Sequence, residues 1–173
     1  TLAVAAAVTV FVWWAATGAM FYVTKLPSAS YPSSLAVLTG LALFSIWTVD
    51  HLSGKTEASA AYCGFVCAVA VWAWQEAAFL MGVLTGRKTA SRKSGLWAHF
   101  MNAAGAMIYH ELALAITMVG LLALTWGEPN QTAAWTFAAL WIMRISAKLN
   151  LFLGVPNFDL DMLPRGLQHL RPY

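Results

Sequence analysis

Five ionisable side chains interrupt apolar stretches of this chain: Glu76, His110, Glu111, Arg144 and Lys148. On insertion scales, each charge held inside a bilayer costs about 2.5–3.5 kcal/mol, so it needs a partner, water or a task. Counting along the chain gives their levels. The segments before and after Gly127-Glu128-Pro129-Asn130 read as a hairpin. Glu111 lies 16 residues before Gly127 and Arg144 lies 14 after Asn130, so antiparallel neighbours put them at nearly one level. Lys148 falls near the level of Tyr109. Glu76, eight residues before Leu84, matches about Ala104 across the following loop. At about 1.5 Å per residue, Glu76 and Lys148 lie within a turn or so in depth. The expected pairs are Glu111 with Arg144 and Glu76 with Lys148, or the same four groups with partners exchanged. His110 joins them, and Tyr109, Asn102 and His99 lie toward the same end.

Three chemistries fit such a group. One is an ion-pair network that fixes helix register. A buried network is not obviously more stable than apolar packing, so its presence hints at a job. The others are a pigment or small-molecule site and acid/base chemistry, with His110 as the titrating group. The contact candidates are His110, Glu76, Glu111, Tyr109 and Asn102; the ion-pair candidates are Glu76, Glu111, Arg144 and Lys148. No metal site is expected. His99 and His110 are about 16 Å apart along a helix and cannot chelate one ion. Glu111 projects about 100° away from His110 on a helix, and His110-Glu111-Leu112-Ala113-Leu114 lacks the second His of a zinc-protease motif. Trp72, Trp74, Phe79, Trp97, Trp135 and Trp141 either line a flat ring system or pack.

The elements that must position these groups are helices. The chain has 173 residues, with ten Lys or Arg and seven Asp or Glu. Charged residues make up 10% against about 25% in soluble domains. Residues 1–24 and 26–49 carry no charge, and about 20 apolar residues in a helix cross a hydrocarbon core. A soluble enzyme, an isolated nucleic-acid-binding module and a disordered chain are excluded. Backbone groups in lipid must be satisfied internally, so an all-α polytopic transmembrane bundle follows. Five spans are predicted: about Leu2–Val23, Ser33–Val49, Ala58–Leu84, Gly95–Trp126 and Gln131–Leu153.

The loop Gly86–Gly95 carries Arg87, Lys88, Arg92 and Lys93 and no acid, whereas Asp50–Glu57 and Gly127–Asn130 are poorer in bases. The positive-inside bias puts Arg87–Lys93 in the cytoplasm, together with Lys25 and the C-terminal tail. Residues 1–153 form the bundle. Residues 154–173 form a cytoplasmic tail, with Leu160, Leu163, Leu167 and Leu170 at helical spacing; it either lies in the interface or packs as a loop. Cys63 and Cys67 read as small packing residues. Ser59, Cys63 and Cys67 form one candidate helix–helix contact and Ala103–Ala106 another.

Several stretches have a familiar wording. They are Trp72-Ala73-Trp74-Gln75-Glu76 with Phe79-Leu80-Met81-Gly82 and Thr85-Gly86, then Tyr109-His110-Glu111-Leu112-Ala113, and Leu124 to Gln131. The longest is Met143-Arg144-Ile145-Ser146-Ala147-Lys148-Leu149-Asn150-Leu151-Phe152-Leu153-Gly154-Val155-Pro156-Asn157. Together they resemble the PuhE family, photosynthetic complex assembly proteins of purple phototrophic bacteria. The resemblance covers about residues 60–173 and reaches the first two spans only by hydropathy. It implies an inner (intracytoplasmic) membrane protein for assembly of the reaction centre–light-harvesting complex or for bacteriochlorophyll supply. The bilayer and reaction-centre or light-harvesting subunits or pigment-synthesis enzymes would be its partners, bacteriochlorophyll or a precursor its cofactor, and nucleic acid no partner. An integral-membrane enzyme or enzyme subunit of bacteriochlorophyll synthesis and a stable accessory subunit are the alternatives. The resemblance also implies further apolar spans beyond the equivalent of Tyr173, and it supplies no catalytic residues.

Overall fold

The computed structural model describes the backbone of residues 2–84 and 96–154 and the side chains of residues 2–84 and 108–148. The loop with Arg87–Lys93, the side chains of Trp97, His99, Asn102 and Ala103–Ala106, and the tail 155–173 lie outside the described residues. Five helices follow in order: α1 (Leu2–Lys25), α2 (Tyr31–Leu52), α3 (Ala58–Leu80), α4 (Leu96–Thr125) and α5 (Thr132–Gly154). Among the described residues there is no strand. α1, the stretch Ser28–Leu52, α3 and Ile108–Thr125 of α4 are each long and apolar enough to cross a membrane. α5 has 23 residues, a comparable length, and carries Arg144 and Lys148.

The helix ends have local causes. α1 stops before Pro27, and a 3₁₀ turn over Ser28–Ser30 leads into α2, whose first turn holds Pro32, where its missing N–H costs nothing. The Tyr31 hydroxyl donates back to the Thr24 carbonyl at 3.2 Å and ties the two helices at this corner. α3 ends four residues earlier than the sequence suggested. Gly82 takes φ +82°, its N–H donates to Phe79 O at 2.9 Å, and Val83 N–H donates to Ala78 O at 2.9 Å. This double closure satisfies the last carbonyls and needs a residue tolerant of left-handed backbone, which hydrophobicity alone does not reveal. Gly127, at φ +77°, plays the corresponding part after α4.

α3 is the central helix. It packs against α2, α5 and α1, while α4 touches α5, α2 and α3. The core joins Ala42 and Val49 of α2, Cys67, Ala68, Val71 and Trp72 of α3, Leu114 and Leu121 of α4, and Ala133, Ala134, Phe137 and Leu140 of α5. Trp72 meets Phe137 edge to face, with centroids 5.3 Å apart. α3 approaches α5 closely at Gly64, where an added Cβ would lie in ordinary contact, 3.6 Å from Ala133 N and 3.7 Å from Thr132 Cβ. The small-residue contact expected at Ser59, Cys63 and Cys67 is therefore rotated. Ser59 is exposed, whereas Ala60, Gly64, Cys67 and Ala68 are buried. Equal spacing does not say which side of an apolar helix faces the bundle, because lipid and core both accept apolar residues.

One end of the bundle is joined by hydrogen bonds between loops. Asn130 N–H donates to Ser53 O at 2.9 Å, and its side-chain amide donates to Leu52 O at 3.2 Å. The α2–α3 and α4–α5 connections therefore lie side by side, which sets the relative height of α3 and α5. α1 buries no residue of its own and leaves most of its surface open, as a lipid-facing helix does.

Candidate functional site

The depth set by those connections brings the charged groups of α3, α4 and α5 together, in the second of the two expected pairings. Arg144 Nη1 of α5 donates to Glu76 Oε1 of α3. Lys148 Nζ, one turn further along α5, donates to Glu111 Oε1 of α4. Arg144 Nε also lies 3.7 Å from Glu111 Oε1, so the guanidinium sits between both carboxylates. Counting gives height but not rotation about each helix axis, and rotation assigns Arg144 to Glu76.

His110 occupies the inner end of the group. Its residue exposure is 0%, and its Nε2 lies 3.6 Å from Glu76 Oε1. That is beyond hydrogen-bond distance, and among the described residues neither ring nitrogen has a hydrogen-bond partner. The imidazole rests on Phe79 with ring centroids 4.7 Å apart, and the Arg144 guanidinium carbon lies 5.3 Å from the same Phe79 centroid. Phe79 thus walls both groups and offers the cation its electron-rich face. Trp141 of α5 donates its indole N–H to Glu111 Oε2 at 3.1 Å.

Exposure rises outward through the cluster. The Arg144 and Glu76 side chains are 15% and 17% exposed, those of Lys148 and Glu111 22% and 30%. With the imidazole neutral, two carboxylates balance two cations. Such an arrangement holds three helices in one register, because removal of one partner leaves an uncompensated buried charge. Imidazole, the one group here able both to donate and to accept, is held without either bond. Among the described residues no set of three or more His, Cys, Asp or Glu is placed to hold a metal ion.

The remaining candidates are not gathered here. Tyr109 is 55% exposed on the outer face of α4. Trp135 is exposed, and Trp74 donates its indole N–H to Thr39 Oγ1 of α2 at 2.9 Å. Trp72 belongs to the packed core. The side chain of Asn102 lies outside the described residues.

Reading only ionisable groups missed Gln75. It is fully buried, donates to Thr117 Oγ1 of α4, and leaves Oε1 without a partner. The available signal was an amide inside an apolar span, since interhelical hydrogen bonds from Gln and Thr join membrane helices. Trp141 and Phe79, expected to line a flat ring system or to pack, each also meet a charged group.

Comparison with known proteins adds ancestry. A family model described as "Protein of unknown function (DUF3623)" matches residues 1–173. A Rhodobacter capsulatus protein named "Uncharacterized 30.4 kDa protein in puhA 5'region" is 35% identical over 168 residues, covering 94% of this chain. The chain spans 61% of that relative's length. No solved structure matches. The matched family model extends through every helix that carries the cluster, and the chain belongs to the DUF3623 family.

Proposed function

We propose that this chain is part of an integral-membrane factor that serves assembly of the reaction centre–light-harvesting complex or the supply of bacteriochlorophyll to it. The observation that carries this reading is the similarity to the Rhodobacter capsulatus protein, whose name puts it in the 5' region of puhA. The sequence resemblance to the PuhE family agrees with it. In this reading the membrane is the bacterial inner, intracytoplasmic membrane. The Arg87–Lys93 loop and the tail face the cytoplasm, following the positive-inside bias.

The cluster suits a scaffold. Glu76, Arg144, Glu111 and Lys148 neutralise one another and lock α3, α4 and α5. A fully buried His110 has no open face for a flat macrocycle, which favours a packing role against Phe79 over axial ligation of a pigment.

A second reading, an enzyme or enzyme subunit of bacteriochlorophyll synthesis, is favoured by one feature. Among the described residues both His110 nitrogens and Gln75 Oε1 are buried without hydrogen-bond partners, as groups reserved for a substrate would be. Removing the gene from a phototrophic host tests both. Loss of assembled complex with normal pigment intermediates fits the assembly factor. Accumulation of one biosynthetic intermediate fits the enzyme. Unchanged complex and pigment would refute both.

A further inference from the structure

Away from the charged cluster, the connection between α4 and α5 opens onto a surface hollow of about 670 Å3. Its walls are Glu128 and the first turns of α5, with Gln131, Thr132, Trp135, Thr136 and Ala139. The connection follows directly on Thr125, the last residue of the apolar stretch of α4, which puts the hollow at the membrane–water boundary. Glu128 is exposed, and none of the ion pairs among the described residues includes it. Its Oε2 stands 3.4 Å from where a Cβ on Gly54 would lie, so the carboxylate sits at the rim beside the α2–α3 connection without pairing with Lys55 there. Trp135 is 70% exposed, and among the described residues no ring packs on it. Thr17, Thr24, Thr39, Thr48 and Thr125 each turn their hydroxyl onto the carbonyl four residues back. Thr132 and Thr136, in the wall of the hollow, make no such bond, which leaves their oxygens open to a ligand.

Charge decides which ligand fits. The hollow holds one carboxylate and no cationic side chain. The same end of the bundle carries Asp50, Glu57 and Glu128 against Lys55 and His51. The start of α5 favours an anion, but an anion here would meet Glu128, and the Thr132 N–H is already taken by Asn130 Oδ1 at 3.3 Å. A cation meets an unpaired carboxylate, hydroxyl and amide oxygens and the electron-rich face of an indole. A bare metal ion asks for several oxygen ligands in fixed positions, which one carboxylate does not supply. We propose that this hollow binds an organic ammonium group, its charge against Glu128 and its carbon substituents against Trp135 and Ala139. The ammonium has two sources, the amine headgroup of a membrane lipid or a dissolved amine. The site goes beyond the assembly reading and is measured on the purified protein, so it stands or falls independently of that reading.

The test dialyses the full chain to equilibrium, in an uncharged maltoside detergent at low ionic strength, against tetramethylammonium labelled with carbon-14. Saturable binding is expected, at one equivalent per chain. Glu128→Gln and Trp135→Leu should each weaken it about 2–5-fold, and the double variant roughly tenfold. Both side chains are exposed, so helicity by circular dichroism should stay at the parent level. Glu57→Gln removes a negative charge at the same end but from outside the hollow, and should leave the affinity little changed. Displacement of the probe by micellar phosphatidylethanolamine at concentrations where dissolved ethanolamine has no effect assigns the site to a lipid headgroup. Equal displacement by ethanolamine assigns it to a dissolved amine. Absence of saturable binding overturns the proposal, as does parent-like binding by the folded double variant. A loss on Glu57→Gln as large as that on Glu128→Gln overturns it too, because the probe would then follow the general field of this end.

Discussion

Glu76 and Arg144 stand 68 residues apart in sequence and form the ion pair that ties α3 to α5. It lies further along the seam that Gly64 makes against Thr132 and Ala133 and Trp72 against Phe137, about 18 Å from Gly64 along α3. Small residues set the distance between these helices, and the ion pair sets their register. An apolar seam alone tolerates sliding, since lipid-soluble surfaces differ little in free energy from one register to the next.

Glu76→Gln should therefore lower stability by about 3–5 kcal/mol by leaving the Arg144 guanidinium uncompensated. Glu76→Gln/Arg144→Met should recover most of that loss. Reversible unfolding in mixed micelles, arranged as a double-mutant cycle, measures the coupling. Additive single effects would mean that the pair contributes no register energy.

Gly64 separates contact from clash. An added Cβ meets Ala133 N at 3.6 Å, an ordinary van der Waals distance, so Gly64→Ala should behave like the parent protein. Gly64→Leu should cost about 1–3 kcal/mol by forcing α3 from α5. Thermal unfolding of both variants checks the order.

How much of this was legible follows from the physics of each part. Helix positions came from charge-free runs and their polar ends, because the bilayer forbids open backbone. Heights came from counting, because the rise per residue is constant. Rotation was not legible: Val66 and Val69 look alike to a hydropathy count, and only Val69 is buried. For the same reason the sequence named the four charged groups of the cluster and left both pairings open. Gln75 and the Asn130–Ser53 bridge escaped notice because neither carries a charge.

Asn130→Ala should cost about 1 kcal/mol. It removes the amide bond to Leu52 O and the side-chain oxygen that accepts from Thr132 N–H at 3.3 Å, while the backbone bond to Ser53 remains. Hydrogen exchange should rise at both the α2–α3 and the α4–α5 connections. A rise confined to residues 127–132 would show that the two loops are uncoupled.

Topology follows from loop charge. In a background lacking Cys63 and Cys67, Glu128→Cys should react with an impermeant maleimide from the periplasmic side, and Ala90→Cys should not. The reverse pattern in intact cells would invert the orientation.

His110→Leu removes two unpartnered nitrogens at nearly constant volume. An unsatisfied buried polar group costs about 1–3 kcal/mol, so stability should rise or stay level. If His110 only packs against Phe79, complex yield and pigment content in the host should also stay level. Loss of pigment from a folded variant would move the balance to the substrate-binding reading.

The most direct measurement is purification of the full-length protein from a phototrophic membrane in mild detergent, followed by an absorption spectrum and mass spectrometry of everything that co-purifies. Reaction-centre or light-harvesting subunits, or bacteriochlorophyll or a precursor, are expected in amounts that fall when Glu76→Gln disrupts the cluster. A preparation that is folded and colourless, with no photosynthetic subunit or pigment above the level of an unrelated membrane protein, would contradict the proposed function.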